Sequence, residues 1–324
     1  MNTTDTSHRK GLVGAGPTTS FWLYDSETGF DLTHPATPDS KPLYPRVTLP
    51  TTSLPITISP AKTALVIIDM QNFFISPSLG RPADGKGLKA QDQLLKHAIP
   101  AARRAGIRII WLNWGLTDAD LSKMPPATFR AFGFGSPSRQ PAIDSHGVNE
   151  LAPQISRQLE SGGKNARIYK GLGSEIGPVT TADGTTVEAG RLLFRDTWNA
   201  AMTPELMAEW EAGKTQKAVP DVWLHKNRMS GLWGQSTDAT DFVEEQGITT
   251  LVFAGVNTDQ CVGGSLQDAF SRGYDCILLS DGAATTSPPS SQESIEFNCA
   301  KTWGFCTTCE KFAEGVDKID RGPV

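Results

Sequence analysis

The sequence of 324 residues predicts an α/β fold, with a doubly wound, mostly parallel sheet and helices on both faces. Short apolar runs alternate along the chain with segments of helical spacing, which is the order that builds βαβ units. The apolar runs also lack polar alternation, as expected for strands that are covered on both faces. Right-handed crossovers between such strands place helices on both sides of the sheet.

The N-terminal part of the chain differs in composition from the rest. It is rich in Pro, Thr and Ser, with short extended pieces at 20–25 and 55–59. This composition predicts an extended N-terminal arm of coil and short strands over residues 1–60, and not a domain. The aromatic residues of the arm are candidates for docking on the body of the protein or on a partner subunit.

Residues 61–324 are predicted to form one domain. Apolar runs predict strands at 63–69, 107–114, 221–227, 249–255 and 276–282. Helical spacing predicts helices at 91–107, 236–248 and 261–274. The first helix is expected to end at Gly106 and the second at Gly247, because glycine commonly follows the last helical residue.

From about 115 to 220 the alternation stops, and the sequence becomes rich in Gly, Pro and polar residues. We interpret this stretch as a long insertion that shapes or covers a pocket. The alternative is a disordered surface excursion. Partial order is favoured by the aromatic residues of the insertion, which are Phe129, Phe132, Phe134, Trp198 and Trp210.

Composition argues against several classes of protein. The formal charge is -5 and no basic stripe is present, which disfavours nucleic-acid binding. The apolar runs are far shorter than the roughly 20 residues that cross a bilayer, and the N-terminus lacks an apolar signal segment. The five cysteines all lie at or beyond Cys261, which disfavours a disulfide framework. We therefore expect a cytoplasmic protein that binds neither nucleic acid nor membrane.

Several common site signatures are missing from the sequence. It contains no G-x-G-x-x-G after a strand, no Walker loop and no G-x-S-x-G elbow, so nucleotide cofactors and serine hydrolases lose support. Cys306 and Cys309 have C-x-x-C spacing, but they lie outside a thioredoxin-like βαβ pattern. They also lack the second pair that a zinc site needs.

Three reactive side chains follow predicted strands, at the edge where open parallel sheets bind ligands. Asp69 and Lys226 close two of the strands, and Cys261 follows a third strand by one tight loop and opens the next helix. If these strands are neighbours, the three side chains converge.

Each of these residues also has a structural interpretation. Asp69 is a candidate N-cap or a candidate general base. Lys226 either extends to solvent or lowers the pKa of a nearby thiol and holds a carboxylate. Cys261 is a candidate buried filler, metal ligand, redox thiol or nucleophile. Its place near a helix N-terminus favours a thiolate, and the preceding loop offers backbone N–H groups for an oxyanion hole.

Three blocks of the sequence resemble the isochorismatase-like cysteine hydrolases, a superfamily that includes nicotinamidases, N-carbamoylsarcosine amidases, ureidoacrylate and biuret amidohydrolases, and isochorismatases. In family order, the blocks are ALVIIDMQNFF, VWLHKNRMSGLWG and LVFAGVNTDQCVGGSLQDAFSRGYDCILLSDGAAT. They cover about 62–114 and 221–286. The resemblance leaves the N-terminal arm and the insertion unexplained.

The resemblance implies a catalytic triad of Asp69, Lys226 and Cys261. It also implies a cis peptide bond between Val256 and Asn257, and an oxyanion hole formed by the N–H groups of Asn257 and Cys261. Four residues just beyond strand ends are expected to bind the substrate: Gln71, Phe74, Asn113 and Trp114.

The implied activity is hydrolysis of a C–N bond in a small molecule, such as an amide, lactam, carbamoyl or ureido group, through a thioester. The alternatives are an isochorismatase-type vinyl ether hydrolase and a non-catalytic binding or scaffold protein. The stretch after the second strand lacks the histidine of nicotinamidase metal sites, so we expect no metal and no cofactor. The family implies a homo-oligomer, a dimer or a tetramer. The long aromatic insertion suggests a substrate larger or more apolar than nicotinamide.

Overall fold

The N-terminal residues build a small sheet in the computed structural model, which describes residues 10–14, 21–132 and 171–323. Its five strands are β1 (Lys10–Val13), β2 (Trp22–Asp25), β3 (Gly29–Asp31), β4 (Val47–Leu49) and β5 (Ile56–Ile58). The order is β1-β2-β3-β5-β4. Only the β3–β5 pair is parallel among these neighbours. The arm therefore contains the expected short strands, and these join into one sheet.

The centre of the fold is a six-stranded sheet in which all neighbouring strands are parallel. In chain order the next strands are β6 (Thr63–Ile68), β7 (Arg108–Trp114), the hairpin β8 (Pro178–Thr180) and β9 (Thr186–Glu188), then β10 (Val222–Lys226), β11 (Thr250–Val256), β12 (Asp275–Ala284) and β13 (Phe305–Thr307). The central sheet has the order β10-β7-β6-β11-β12-β13. The predicted fold class is confirmed.

Helices pack on both sides of this sheet. They are α1 (Asn72–Ile75), α2 (Lys86–Gln93), α3 (Ile99–Ala105), α4 (Asp118–Ser122), α5 (Pro126–Ala131), α6 (Pro204–Gly213), α7 (Asp238–Glu245), α8 (Gly263–Ser271), α9 (Pro289–Asn298) and α10 (Cys309–Asp317). Short 3-10 helices lie at Pro60–Lys62, Pro77–Leu79 and Trp198–Ala200, and π turns lie at Leu94–Ala98, Thr258–Val262 and Cys299–Trp303. None of the helices of the described residues has the length and apolar character needed to cross a bilayer.

One long helix shows how local chemistry shapes an element. The π turn joins α2 and α3 into a continuous helix, because Pro100 lacks an N–H and crowds the preceding turn. The predicted start at residue 91 was wrong, since the helix begins at Lys86 and includes Gly87. A Cβ at Gly87 would lie 2.6 Å from Cγ2 of Ile75, so close packing explains this glycine.

The two faces of the sheet bury separate cores. Leu65 and Ile67 pack in the core that contains residues of α2, α3 and α10. Val66 and Ile68 pack in the core that contains residues of α7 and α8. This alternation along β6 explains the continuous apolar run, because each successive side chain enters the opposite core.

Asp275 ties the N-terminal sheet to the start of β12, at the edge opposite the strand ends of the candidate triad. Its carboxylate accepts hydrogen bonds from Nε1 of Trp22 at 2.8 Å and from Nε2 of His34 at 2.7 Å. The hydroxyl of Thr250 donates a third at 3.1 Å. The arm is thus fixed to the body of the same chain by a buried carboxylate.

The described part of the insertion, 115–132 and 171–220, forms packed structure. A third buried cluster joins it to the neighbourhood of Trp114 through Phe73, Leu79, Leu116, Met124, Phe132, Leu172, Leu192, Leu193 and Phe194. Phe129 and Trp198 pack against this cluster, and Trp210 packs against the core that includes α3. Phe134 and the rest of 133–170 lie outside the described residues.

Candidate active site

The ends of three strands bring Asp69, Lys226 and Cys261 to one edge of the sheet. Asp69 follows β6, Lys226 is the last residue of β10, and Cys261 follows β11 after a short loop. β6 and β11 are direct neighbours, and only β7 separates β6 from β10. The parallel sheet therefore places the three side chains at its carboxyl edge.

Asp69 is fully buried and does not cap a helix. Its backbone is in the left-handed region, with φ 53°, and its N–H donates to the carbonyl of Leu112 at 3.1 Å. Oδ1 accepts the backbone N–H of Trp114 at 3.0 Å. The next helix, α1, has Gln71 as its N-cap residue, so the N-cap interpretation of Asp69 is wrong.

Lys226 points into the protein and forms an ion pair with Asp69. Its Nζ lies 2.8 Å from Oδ2 of Asp69, and the two side chains are 1% and 0% exposed. The same Nζ donates to the carbonyl of Arg228 at 3.2 Å and lies 4.1 Å from the ring centroid of Trp114. An extended, solvated lysine is therefore excluded.

Cys261 is a free, buried thiol whose environment is set by the other two residues. Burial raises the pKa of Cys261 to about 12, and the charge of Asp69 adds to this, whereas the charge of Lys226 and the indole of Trp114 lower it. Burial also raises the pKa of Asp69, against the lowering effects of Lys226, Cys261 and the Trp114 N–H. The resting site thus pairs a neutral thiol with a carboxylate of increased basicity.

The position of Cys261 in its helix differs from the sequence expectation. Helical structure begins at Thr258 with a π turn, and α8 continues from Gly263, so Cys261 is inside the first turn and does not open the helix. The positive potential of the helix N-terminus favours a thiolate. Burial has the larger effect, which is why the pKa of the thiol is raised and not lowered.

The loop before Cys261 turns sharply against β6. The Val256–Asn257 peptide bond is cis, and Gly255 has φ 111°. A Cβ on Gly255 would lie 2.0 Å from the carbonyl oxygen of Ile68, so only glycine fits there. The carbonyl of Asn257 accepts the N–H groups of Gln260 at 3.0 Å and Val262 at 3.2 Å, which folds the loop around the first helical turn.

Gln71 and Trp114, two of the residues expected to bind the substrate, lie close to the triad. The backbone of Trp114 binds Asp69, and its carbonyl accepts Nε2 of Gln71 at 2.7 Å. The same Nε2 donates to the carbonyl of Ala200 at 2.6 Å, so Gln71 joins β7 to the insertion. Oε1 of Gln71 is buried and has no partner in the part of the chain that the structure describes.

Phe74 and Asn113 are the other two residues expected to bind the substrate. Phe74 is half-buried and packs edge-on against Phe73, with ring centroids 4.9 Å apart. Asn113 alternates with Trp114 on β7, so its side chain lies on the opposite face of the sheet. It is fully buried beside His225 of β10, and both polar atoms of its side chain lack a partner within residues 10–14, 21–132 and 171–323.

Buried polar atoms without a partner in the described residues include several at this edge of the sheet. They are Oε1 of Gln71, Nε1 of Trp114 and Oγ1 of Thr258. Buried polar groups in folded proteins are nearly always hydrogen-bonded. Within the described residues, these three atoms therefore lack the partner that buried polar groups ordinarily have.

Sequence reasoning missed the residues that join the triad to the insertion. Nδ2 of Asn227 donates to Oδ1 of Asp120 at 2.7 Å, and Arg228 donates to the carbonyl of Lys123 at 3.1 Å. The guanidinium of Arg228 also lies 5.0 Å from the ring of Trp233. The available signal was the run of polar residues directly after Lys226. Among the residues that the structure describes, no group of three or more His, Cys, Asp or Glu is arranged to hold a metal ion.

Comparison with known proteins finds one family model and several curated relatives. The Isochorismatase domain model matches residues 166–307. The chain is 28% identical over 276 residues to ureidoacrylate amidohydrolase RutB of Rhizobium rhizogenes, which covers 84% of this chain and 90% of the relative. RutB of Methylobacterium radiotolerans is 27% identical over 303 residues, covering 92% and 97%. The domain model and these relatives support membership of the isochorismatase-like superfamily.

The isochorismatase-like fold is also found by structural comparison. A cysteine hydrolase from Pseudomonas syringae pv. phaseolicola matches with a TM-score of 0.51 and 17% identity, covering 86% of this chain and 99% of that one. The matched range of the domain model contains Lys226 and Cys261 and begins after Asp69. The longer RutB alignments show that the similarity to isochorismatase-like proteins extends beyond that range.

Proposed function

We propose that this protein is a cysteine hydrolase that cleaves a C–N bond of a small molecule, with Cys261 as nucleophile and a thioester as intermediate. The observation that carries the proposal is the buried ion pair of Lys226 and Asp69 beside the Cys261 thiol. A base, a cation and a thiol in one dry site form the arrangement that nucleophilic catalysis requires.

The first chemical step follows from the two raised pKa values. Asp69 is a stronger base than an ordinary carboxylate because its pKa is raised by burial. It accepts the thiol proton as the sulfur of Cys261 attacks the carbonyl carbon. Lys226 keeps its positive charge beside the forming thiolate and so compensates for the loss of its carboxylate partner.

The remaining steps use the same residues. The oxygen of the tetrahedral intermediate is held by the N–H groups of Asn257 and Cys261, which we assign as the oxyanion hole. When the C–N bond breaks, Asp69 returns its proton to the leaving nitrogen. Water then attacks the thioester with Asp69 as base, and the acid product and the free thiol are released.

The amide-type reaction is favoured over vinyl ether hydrolysis. The curated relatives with the alignments above are named ureidoacrylate amidohydrolases. The vinyl ether reaction needs a general acid and not a thiol nucleophile, so it does not require Cys261. A non-catalytic scaffold gives no reason for the buried ion pair, because taking two charges out of water is costly.

We propose a ureido or related amide compound as the substrate, since the unpaired polar atoms of Gln71 and Thr258 match a small polar group. We further propose a homo-oligomer in the cytoplasm. The five free cysteines agree with a reducing compartment.

The test is a panel of ureidoacrylate, simple amides, lactams and carbamoyl compounds, assayed by release of the nitrogen product. Cys261→Ala should lower kcat/KM by at least about a thousandfold. Cys276→Ala is the matched control, because Cys276 is also a buried free thiol with a raised pKa but lies at the start of β12, at the opposite edge of the sheet. Mass spectrometry of the wild type should detect an acyl adduct on the peptide that contains Cys261. Full activity of Cys261→Ala would show that the proposal is wrong.

A further inference from the structure

Trp114 contacts each member of the candidate triad through a different part of the residue. Its backbone N–H donates to Oδ1 of Asp69 at 3.0 Å. Its ring centroid lies 4.1 Å from Nζ of Lys226. Its indole also lowers the pKa of the Cys261 thiol, against the larger effect of burial. We propose that the indole N–H of Trp114 is a hydrogen-bond donor to the thiolate of Cys261, and that it stabilises this anion during attack on the substrate.

The unpaired state of this indole N–H is the main evidence. Nε1 of Trp114 is buried and has no hydrogen-bond partner among the described residues. Two other indoles of the chain are paired: Nε1 of Trp111 donates to Asp221 at 3.0 Å, and Nε1 of Trp22 donates to Asp275 at 2.8 Å. A buried donor without a partner costs about 1–3 kcal/mol, so it calls for an explanation. A neutral thiol is a weak acceptor, whereas a thiolate is an anion that such a donor binds strongly.

Neighbouring residues hold Trp114 and restrict the orientation of its indole. Trp114 is paired with Lys226 across β7 and β10, so both side chains lie on the same face of the sheet. Gln71 binds the Trp114 carbonyl at 2.7 Å. Phe132 packs edge-on against the indole, with ring centroids 5.2 Å apart. A donor fixed before the reaction needs no reorganisation when negative charge develops on sulfur.

This inference deepens the proposed function and rests on Cys261 being the nucleophile. It assigns Trp114 a direct role on a reacting atom, in place of the substrate-binding role expected from the sequence. The proton balance is unchanged: the thiol proton passes to Asp69, and the indole keeps its own hydrogen.

Trp114→Phe tests the inference, because it removes the N–H and keeps an aromatic ring between Lys226 and Phe132. The first measurement is the rate of Cys261 alkylation by iodoacetamide at a fixed pH, followed by mass spectrometry of the peptide that contains Cys261. We expect a decrease of about 10-fold or more, as for loss of a hydrogen bond to a charged group. With the substrate found in the panel above, kcat should fall by a similar factor and KM should change little.

Trp111→Phe is the matched control. It removes another buried indole N–H from the same strand, but that N–H is bonded to Asp221 and not to the triad. Its alkylation rate and kcat should stay within about twofold of wild type, although its thermal stability decreases. A merely structural role of Trp114 has the opposite signature, because a loosened site would expose Cys261 and increase the alkylation rate.

The outcomes separate this inference from the proposed function. If Cys261→Ala is inactive and Trp114→Phe is alkylated and turns over as fast as wild type, the role of the indole is disproved and the cysteine hydrolase remains. An active Cys261→Ala variant disproves both. Slower alkylation of Trp114→Phe together with an inactive Cys261→Ala variant supports both.

Discussion

Nζ of Lys226 lies 2.8 Å from Oδ2 of Asp69, and the side chains of both residues are at most 1% exposed. Taking two charges out of water is costly, and the attraction between them offsets this cost only while both are present. The pair therefore links stability and chemistry. Removal of either partner leaves a buried charge next to the thiol.

Lys226→Met is expected to affect stability as well as activity. It leaves the Asp69 carboxylate unpaired, so the free energy of unfolding should decrease by about 3–5 kcal/mol. kcat/KM should decrease by at least about 100-fold, because the thiolate loses its nearest cation. Lys214→Met is the control, since the ion pair of Lys214 with Glu211 is exposed and should contribute less than about 1 kcal/mol. Urea unfolding and steady-state kinetics measure both effects. Equal losses of stability in the two variants would contradict the buried-pair argument.

The pH dependence of activity should reflect the raised pKa of Asp69. The carboxylate must be ionised to accept the thiol proton, so the acidic limb of kcat/KM should lie above the ordinary aspartate pKa of 3.8. An acidic limb at or below that value would argue against Asp69 as the base.

The same pKa predicts a pH effect on stability. Since the folded-state pKa of Asp69 is raised, the folded protein binds more protons than the unfolded chain between pH 3.8 and the folded-state pKa. The contribution of Asp69 to the free energy of unfolding therefore decreases as the pH increases through this interval. Asp69→Asn should remove this contribution. Thermal melts of the wild type and the variant across the acidic range provide the measurement.

Gly255→Ala should disrupt the site through its backbone. The new Cβ would lie 2.0 Å from the Ile68 carbonyl oxygen, at a φ of 111°. We expect a loss of at least about 3 kcal/mol in stability and loss of activity, because Ile68 directly precedes Asp69. Gly106→Ala measures the effect of backbone strain without a steric clash. Gly106 also has a positive φ, 74°, but no atom lies within 4 Å of the added Cβ. It should cost about 1–2 kcal/mol and leave kcat unchanged. Similar stability of the two variants would refute the proposed clash.

Asp275→Ala should uncouple the N-terminal sheet without changing the chemistry. The variant loses hydrogen bonds from Trp22, His34 and Thr250 and leaves these donors partly buried, so stability should fall by about 2–4 kcal/mol. kcat should change by less than about twofold, because Asp275 lies at the opposite edge of the sheet. The control is Asp317→Ala, which removes only an exposed ion pair with Arg104. Limited proteolysis at residues 1–60 and a kinetic assay distinguish these effects.

The sequence alone predicts the central sheet well, because each of its longer strands is an apolar run that enters two cores. It also locates Asp69, Lys226 and Cys261, because a polar residue directly after such a run marks the carboxyl edge of a parallel sheet. The resemblance of three sequence blocks to a known family implied their common role, whereas the distances among them needed the structure.

Other features depend on contacts that sequence spacing does not encode. The N-terminal strands have three or four residues each, too few to show a periodic pattern, and they become a sheet only by pairing with one another. The pKa of Cys261 depends on burial by residues from several strands, and the helix position alone suggested the wrong direction. The opposite faces of Asn113 and Trp114 follow from strand alternation, which the expectation that both residues bind the substrate did not take into account.

The insertion between β7 and β10 connects two strands that lie side by side in the sheet. Their register, from Val222 opposite Ile110 to Lys226 opposite Trp114, is fixed by main-chain pairing. The connecting segment can therefore differ in length and composition while the strands keep their places. Residues of this segment can therefore be replaced while the nucleophile, the base and the cation keep their positions. Such replacements offer a route to enzymes with a new substrate range.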